Sequence, residues 1–148
     1  MQIVYVKTQQ ELEQYLAVRR AVFMLEQGVA EEEEIDEQDV LGVGNHLYIR
    51  DEDGTAVATA RFKAYDADTA KIQRVAVLAT HRKYGYGRKV MAAIEKMAAE
   101  QGFQTAILDA QCHAEGFYQK LGYETISETP FLDAGILHVR MKKQLGQA

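Results

Sequence analysis

Four positive charges and two glycines stand close together in residues 82–89. The charges are Arg82, Lys83, Arg88 and Lys89, and the glycines are Gly85 and Gly87. A β-branched run precedes this segment at residues 72–77, and an apolar stripe at helical spacing follows it at residues 90–98, which is typical of a buried strand and an amphipathic helix. The first N–H groups of a helix lack intrahelical partners and attract anions, and glycines allow close approach to the backbone. The sequence therefore predicts a phosphate-binding turn, with a tight turn of solvated charges as the alternative.

Two common nucleotide sites fit this turn poorly. The P-loop pattern GxxxxGK[ST] does not occur in the sequence. A dinucleotide fingerprint needs a third glycine where Val90 stands, and it normally opens its domain. A dinucleotide-dependent oxidoreductase is therefore the weakest functional hypothesis.

Length, charge and cysteine content narrow the class of protein. The chain has 148 residues, a net charge of −5 and one cysteine, Cys112. This length suits one domain over residues 1–148, and the acidic balance argues against general nucleic-acid binding. No apolar run approaches the roughly 20 residues that span a bilayer, and residues 1–7 have no signal-peptide pattern. We expect a cytoplasmic protein with no disulfide, no membrane segment and no metal site.

The remaining pattern predicts an α/β fold with a mixed central sheet of about six or seven strands flanked by helices. Strands are predicted at residues 2–6, 45–50, 56–64, 71–77, 105–109, 123–126 and 136–142. Thr8 can cap a helix that continues to Glu26, and residues 111–120 form a short helix with Phe117 and Leu121 facing inward. The hairpin turn at residues 51–54 makes the first part of the sheet antiparallel. The strand–helix–strand crossover makes the strands at 71–77 and 105–109 parallel.

The acidic stretch at residues 31–39 has two interpretations. A solvated loop or short helix accounts for most of its carboxylates. Alternatively, Glu34 and Asp36, which flank apolar Ile35, attract a cationic amine. Arg19 and Arg20 are interpreted as solvated charges on the first helix, with contact to a ligand as the alternative.

A family resemblance follows from the turn and extends over nearly the whole chain. Residues 82–87 match the [RQ]xxGx[GA] signature of the GNAT acyltransferases, which holds the pyrophosphate of coenzyme A. The sequence is similar to the ElaA/YjcF-like branch at Arg19, Val22, Phe23, Glu26, Gln27 and residues 34–36, and at residues 110–113, 117–118, 121–123, 133–136 and His138. The resemblance implies a GNAT fold in which the two parallel strands splay apart around acyl-CoA.

The resemblance also assigns cofactor contacts. It implies that the backbone of Val75, Ala76 and Val77 pairs with pantetheine, and that the Val77 N–H polarises the thioester carbonyl. It places Phe117 and Tyr118 beside the cofactor. The pyrophosphate contacts that it implies are Arg82, Lys83, Tyr84, Gly85, Tyr86, Gly87 and Arg88.

The candidates for proton transfer differ in how well the sequence supports them. Tyr118 is the candidate acid, because a phenol with a pKa near 10 can protonate a leaving thiolate. The base stays open between a carboxylate, a histidine and a water chain, and Asp109 and His113 are the nearest candidates in sequence. Cys112 is interpreted as a small core residue rather than a reactive thiol.

Two function classes follow. The first is an N-acetyltransferase that moves an acetyl group from acetyl-CoA to a primary amine, on a small molecule or a lysine, by direct attack in a ternary complex. The second is a non-catalytic acyl-CoA-binding module on the same fold. The acidic stretch favours a cationic acceptor, and a homodimer stays open by analogy with the family.

Overall fold

The computed structural model describes residues 1–146, and these divide into two compact units. The first unit contains Met1–Lys63 and Arg74–Ile94, and the second contains Ala64–Gln73 and residues 95–146. The strands are β1 Gln2–Tyr5, β2 Asn45–Arg50, β3 Ala56–Ala64, β4 Thr69–Val77, β5 Thr105–Gln111, β6 Glu124–Thr125, β7 Phe131–Asp133 and β8 Ile136–Gln144. The α-helices are α1 Gln9–Arg19, α2 Glu31–Glu34, α3 Tyr86–Glu100 and α4 Glu115–Lys120. Over the described residues, the short strand β7 is the one that the sequence pattern did not predict.

The first helix begins as predicted and changes character near its end. Thr8 accepts a hydrogen bond from the Glu11 N–H, and the Glu11 side chain accepts one from the Thr8 N–H. This reciprocal capping box satisfies two N–H groups that the helix leaves open. After α1, Arg20–Glu26 continues as a π-helical segment. Such segments are rare in proteins, and those that occur are frequently found at functional sites. Gly28 then adopts a φ of +74°, which ends the helix where the sequence predicts it.

The first unit contains the antiparallel strands. β1 pairs with β2 from Gln2–Arg50 to Tyr5–Leu47, and β2 pairs antiparallel with β3. Val4, Leu12, Tyr15, Leu16 and Tyr48 form one buried apolar cluster of this unit, between α1 and the strands. The predicted hairpin and the antiparallel first part of the sheet are confirmed.

The second unit contains the parallel pair. The first residues of β4 run parallel to β5, from Thr69–Thr105 to Ile72–Leu108, as the crossover predicts. β5 pairs antiparallel with β8, and β6 and β7 both pair antiparallel with β8. The helix predicted at residues 111–120 is shorter in the structure, because Cys112–Ala114 forms a 3₁₀ turn and α4 begins only at Glu115. No helix within residues 1–146 is both long and apolar enough to cross a membrane.

Candidate functional site

The glycine-containing turn joins β4 to α3 in the way that the sequence predicts. Lys83 and Gly85 adopt φ angles of +73° and +83°, and α3 begins at Tyr86. A Cβ added at Gly85 would meet no atom within 4 Å, so the constraint there is the backbone conformation and not lack of space. Most side chains of the turn are exposed, while Tyr86 and Gly87 are half-buried. The turn is therefore an accessible, positively charged surface at the start of a helix.

Arg82 is held by two partners in the first unit. Its Nη1 and Nη2 each lie 2.7 Å from an oxygen of Glu26, and its Nε donates to the Val77 carbonyl at 3.1 Å. The two side chains of this pair are 41% and 40% exposed, so the pair faces water. The hydrogen bonds from Arg82 lower the pKa of Glu26. The guanidinium is thus oriented between the end of β4 and the π-helical segment.

The end of β4 contains Val75, Ala76 and Val77, the three residues predicted to pair with pantetheine, and one of them packs against the first helix and the π-helical segment. Ala76 is buried against Val18 and Val22. Val75 and Val77 are half-buried. This packing fixes the position of the strand next to the turn.

A cluster of three arginines and three carboxylates, which the sequence did not reveal, lies in the same unit. We call it the arginine–carboxylate cluster. Its members are Arg19, Arg61, Arg74, Glu34, Asp36 and Asp39. They come from α1, β3, β4 and residues 34–39, so the cluster ties the acidic stretch to the helix and the strands.

Arg19 is the centre of this cluster, and its interpretation as a solvated charge is wrong. The side chain is fully buried, whereas that of Arg20 is exposed as expected. Arg19 Nε donates to Glu34 Oε1 at 2.7 Å, and its Nη1 lies 2.5 Å from Asp39 Oδ1. Its Nη1 also donates to the Tyr15 hydroxyl at 3.1 Å. A signal was available in the sequence, because Arg19 follows Leu12 and Leu16 at helical spacing on the apolar face of α1.

Glu34 and Asp36, the two favoured acceptor-binding carboxylates, are engaged in this cluster. Glu34 is buried between Arg19 and Arg74, and Asp36 receives hydrogen bonds from Arg61 Nη1 and Nη2 at 2.8 and 2.6 Å. Burial raises the pKa of Glu34 in spite of its arginine partners. For Asp36 burial acts in the same direction, but the hydrogen bonds from Arg61 outweigh it and hold the pKa well below its usual range. Both carboxylates already have arginine partners.

Polar residues on one face of β2 and β3 are buried. Thr59 and Arg61 are 0% and 1% exposed, and Arg61 also donates to Asp39 at 3.0 Å. His46 on the neighbouring strand is buried too, with Nδ1 3.0 Å from the Tyr15 hydroxyl and Nε2 2.7 Å from the Gln38 carbonyl. Thr59, Arg61 and His46 therefore belong to a buried polar layer.

Tyr118 lies in α4, in the second unit, and is 8% exposed. Its ring makes edge contacts with the rings of Phe117 and Tyr123, at centroid distances of 5.0 and 5.9 Å. Burial raises the pKa of Tyr118 above that of a free phenol, so the hydroxyl stays protonated at neutral pH. Phe117 is 38% exposed, which corrects the prediction that it faces inward.

The two candidate bases of the second unit have different surroundings. Asp109 accepts hydrogen bonds from Arg140 Nε at 2.8 Å and Nη2 at 3.2 Å, and Lys71 Nζ lies 3.5 Å away. Burial opposes ionisation of Asp109, but these cations outweigh it and lower the pKa. His113 is exposed, with Nε2 2.7 Å from the Gln111 side-chain oxygen. A lowered pKa makes Asp109 a weak proton acceptor.

Comparisons with known proteins show which family the chain belongs to. A family model described as an acetyltransferase (GNAT) domain matches residues 7–145. The chain is 41% identical to the uncharacterized N-acetyltransferase YjcF of Bacillus subtilis, over 97% of this chain and 99% of the relative. Escherichia coli ElaA superposes with a TM-score of 0.84 at 25% identity, covering 97% of this chain and 99% of ElaA. An acyl-CoA N-acyltransferase from Pseudomonas aeruginosa superposes with a TM-score of 0.82, also at 25% identity, over 97% and 99% of the two chains.

These relatives match the chain along almost its entire length, and the mixed sheet with its parallel pair β4–β5 agrees with their fold. The relatives and the matching family model support acyl transfer from an acyl-CoA. The chain therefore belongs to the GNAT acetyltransferase family, in its ElaA/YjcF-like branch.

Proposed function

We propose that the protein transfers an acetyl group from acetyl-CoA to a primary amine by direct attack in a ternary complex. The proposal rests on the turn at residues 82–88, where α3 begins. Two residues of the turn with left-handed backbone precede the helix, and Arg82 in the turn is held in a fixed orientation. Unpartnered N–H groups and the dipole of a helix N-terminus favour a phosphate. This is the phosphate chemistry that coenzyme A offers.

Arg82 is suited to exchange its carboxylate for a phosphate. Glu26 occupies both Nη atoms of the guanidinium in a bidentate arrangement, the geometry in which arginine also binds phosphate. A diphosphate carries more charge than one carboxylate, so it would displace Glu26 while Arg82 Nε keeps its bond to the Val77 carbonyl. Cofactor binding would then leave the arginine anchored at the end of β4.

The chemical step needs stabilisation of the charge that develops on the thioester oxygen. In the proposed reaction the amine nitrogen forms a bond to the carbonyl carbon, and the carbon–sulfur bond breaks. The backbone of Val75, Ala76 and Val77 is proposed to hold the pantetheine arm, with the Val77 N–H directed at the carbonyl oxygen. A preoriented donor of this kind is a large term in acyl transfer.

Tyr118 is the proposed acid for the leaving thiolate. Its raised pKa keeps the proton on the hydroxyl until it is needed. The thiolate takes that proton as the carbon–sulfur bond breaks. The role itself comes from the family resemblance, and burial of the side chain supports it.

The amine must lose a proton before or during attack. The pairing of Asp109 with Arg140 and Lys71 argues against a carboxylate base at that position. His113 is exposed, and histidine is the side chain that most often acts as a general base. We therefore favour His113 or a water chain over Asp109, and propose either a small-molecule amine or a peptide lysine as acceptor.

Calorimetric titration with acetyl-CoA, CoA and NADPH in parallel tests the cofactor. We expect the two CoA species to bind and NADPH not to bind. Arg82→Gln should weaken acetyl-CoA binding about tenfold or more, because charged hydrogen bonds contribute about 1.5–3 kcal/mol. Arg20→Gln removes an exposed arginine of the same unit and is the matched control. Folded wild-type protein that binds no CoA species would overturn the proposal.

A thiol-release assay over a panel of primary amines then tests catalysis. Release of CoA that depends on an amine supports the transferase. Acetyl-CoA binding without release for any amine would instead support the non-catalytic module.

A further inference from the structure

Arg74 has a backbone conformation that is unusual for its residue type and its place in the fold. It lies within β4 with a φ of +57°, in the left-handed region that residues with a Cβ avoid. Val75, the first of the residues proposed to hold pantetheine, follows it directly. Such conformations persist only when the surroundings hold them, and they concentrate at functional sites.

The Arg74 side chain is anchored on the acidic stretch. Its Nε donates to the Glu34 carbonyl at 3.1 Å and lies 3.0 Å from Glu34 Oε2. Its Nη2 donates to the Glu33 carbonyl at 3.2 Å. Glu34 is itself fixed by Arg19, which donates to its carboxylate at 2.7 Å and to its carbonyl at 2.6 Å. The guanidinium of Arg74 therefore binds to a buried residue that two hydrogen bonds from Arg19 hold in place.

The Arg74 backbone is held from the other side by β3. The hydroxyl of Thr59, a fully buried residue, donates to the Arg74 carbonyl at 2.9 Å. A positive φ turns the chain out of the regular strand, and a local break of this kind changes the direction of the following N–H and C=O groups. The bonds to Glu34 and Thr59 are two anchors that hold Arg74 in this conformation, and the conformation in turn sets the direction of the Val75–Val77 backbone.

We propose that Arg74 is a positioning residue for acyl-CoA, because its anchored side chain keeps β4 in the conformation that presents Val75–Val77 to pantetheine. This inference rests on the proposed function. It assigns the acidic stretch a role as a support for the cofactor strand. Thr59 and Glu34 share this role as the two anchors.

Two substitutions separate the backbone conformation from the loss of the guanidinium. Arg74→Ala and Arg74→Gly both remove the ion pairs, but only glycine adopts a positive φ without cost. If the conformation matters, Arg74→Ala should bind acetyl-CoA about tenfold more weakly than wild type, and Arg74→Gly should stay within about threefold. Equal acetyl-CoA affinities for the two variants would overturn the inference.

A second probe distinguishes positioning from general loss of structure. 3′-Phospho-ADP is the part of coenzyme A without pantetheine, so it tests the turn at residues 82–88 without the pantetheine contacts proposed for Val75–Val77. Arg74→Ala should keep its affinity for 3′-phospho-ADP while it loses affinity for acetyl-CoA. A parallel loss for both probes would show a structural role and overturn the inference.

Thr59→Val provides the same test without touching the ion pairs. It removes the hydroxyl that holds the Arg74 carbonyl and conserves side-chain shape, so it serves if Arg74→Ala does not fold. We expect weaker binding of acetyl-CoA and unchanged binding of 3′-phospho-ADP, and unchanged binding of both would count against the inference. Wild-type protein that binds neither probe would overturn the proposed function and this inference with it. Wild-type binding with no difference among the variants would overturn the inference alone.

Discussion

Removal of the Arg19 guanidinium should cause a large loss of stability. Arg19 is fully buried and bonds to two carboxylates of the cluster, Glu34 and Asp39. Arg19→Met keeps a flexible, unbranched apolar side chain but removes every hydrogen-bond donor. The two buried carboxylates then lose their closest counter-charge.

The expected magnitude follows from what the carboxylates retain. Breaking a buried ion pair by removing one partner costs about 3–5 kcal/mol. Glu34 keeps Arg74 at 3.0 Å, and Asp39 keeps Arg61 at 3.0 Å, so we expect the lower end, about 3 kcal/mol. For a chain of this size, 1 kcal/mol corresponds to about 2–4 °C. The Tm should therefore fall by about 6–12 °C.

Urea unfolding followed by far-UV circular dichroism measures this loss. Arg20→Met is the matched control, because Arg20 is the next residue and is exposed. It should change the free energy of unfolding by no more than about 0.5 kcal/mol. The double variant with Arg19→Met and Asp39→Asn should recover part of the loss, since it restores equal numbers of arginines and carboxylates in the cluster. Equal losses for the two single arginine variants would refute the reasoning.

Three further predictions concern the active site and pH. Tyr118→Phe should lower kcat in the thiol-release assay and leave the acetyl-CoA Kd unchanged, because it removes only the acidic proton; unchanged turnover would exclude the acid role. Glu26→Gln should tighten acetyl-CoA binding in calorimetry, since a neutral amide competes less with a diphosphate for Arg82; weaker binding would mean that Glu26 orients the arginine rather than occupying it. The pKa of Asp36 is lowered on folding, so its contribution to stability is present above the unfolded pKa of about 3.9 and is lost as the pH falls. Asp36→Asn should therefore make the free energy of unfolding decline less steeply below about pH 4, and an unchanged decline would contradict this assignment.

The elements that sequence analysis predicted correctly depend on neighbouring residues. The capping box joins Thr8 to Glu11, and the hairpin turn at residues 51–54 joins β2 to β3. The turn at residues 82–88 is also local, because helix starts and left-handed glycines are encoded within a few positions. The parallel pairing of β4 with β5 follows from the length of one crossover.

The arginine–carboxylate cluster could not be predicted in the same way. Arg19 is 15 residues from Glu34 and 20 from Asp39, and Arg61 is 25 from Asp36. No local pattern links residues so far apart. A single charged residue is usually exposed, and that general rule outweighed the position of Arg19 on the apolar face of α1. The positive φ of Arg74 is equally hidden, since it results from anchors elsewhere in the chain.

The cluster also limits which carboxylates can attract an acceptor amine. Its three arginines and three carboxylates balance in charge, so it adds little net field outside itself. If Glu34 or Asp36 turned to an incoming amine, an arginine would lose its partner, and this costs more than an exposed ion pair contributes. The exposed carboxylates of the stretch are Glu31, Glu32, Glu33 and Glu37. Any attraction for a cationic acceptor would therefore come from these residues, and because they face water it would weaken as the salt concentration rises.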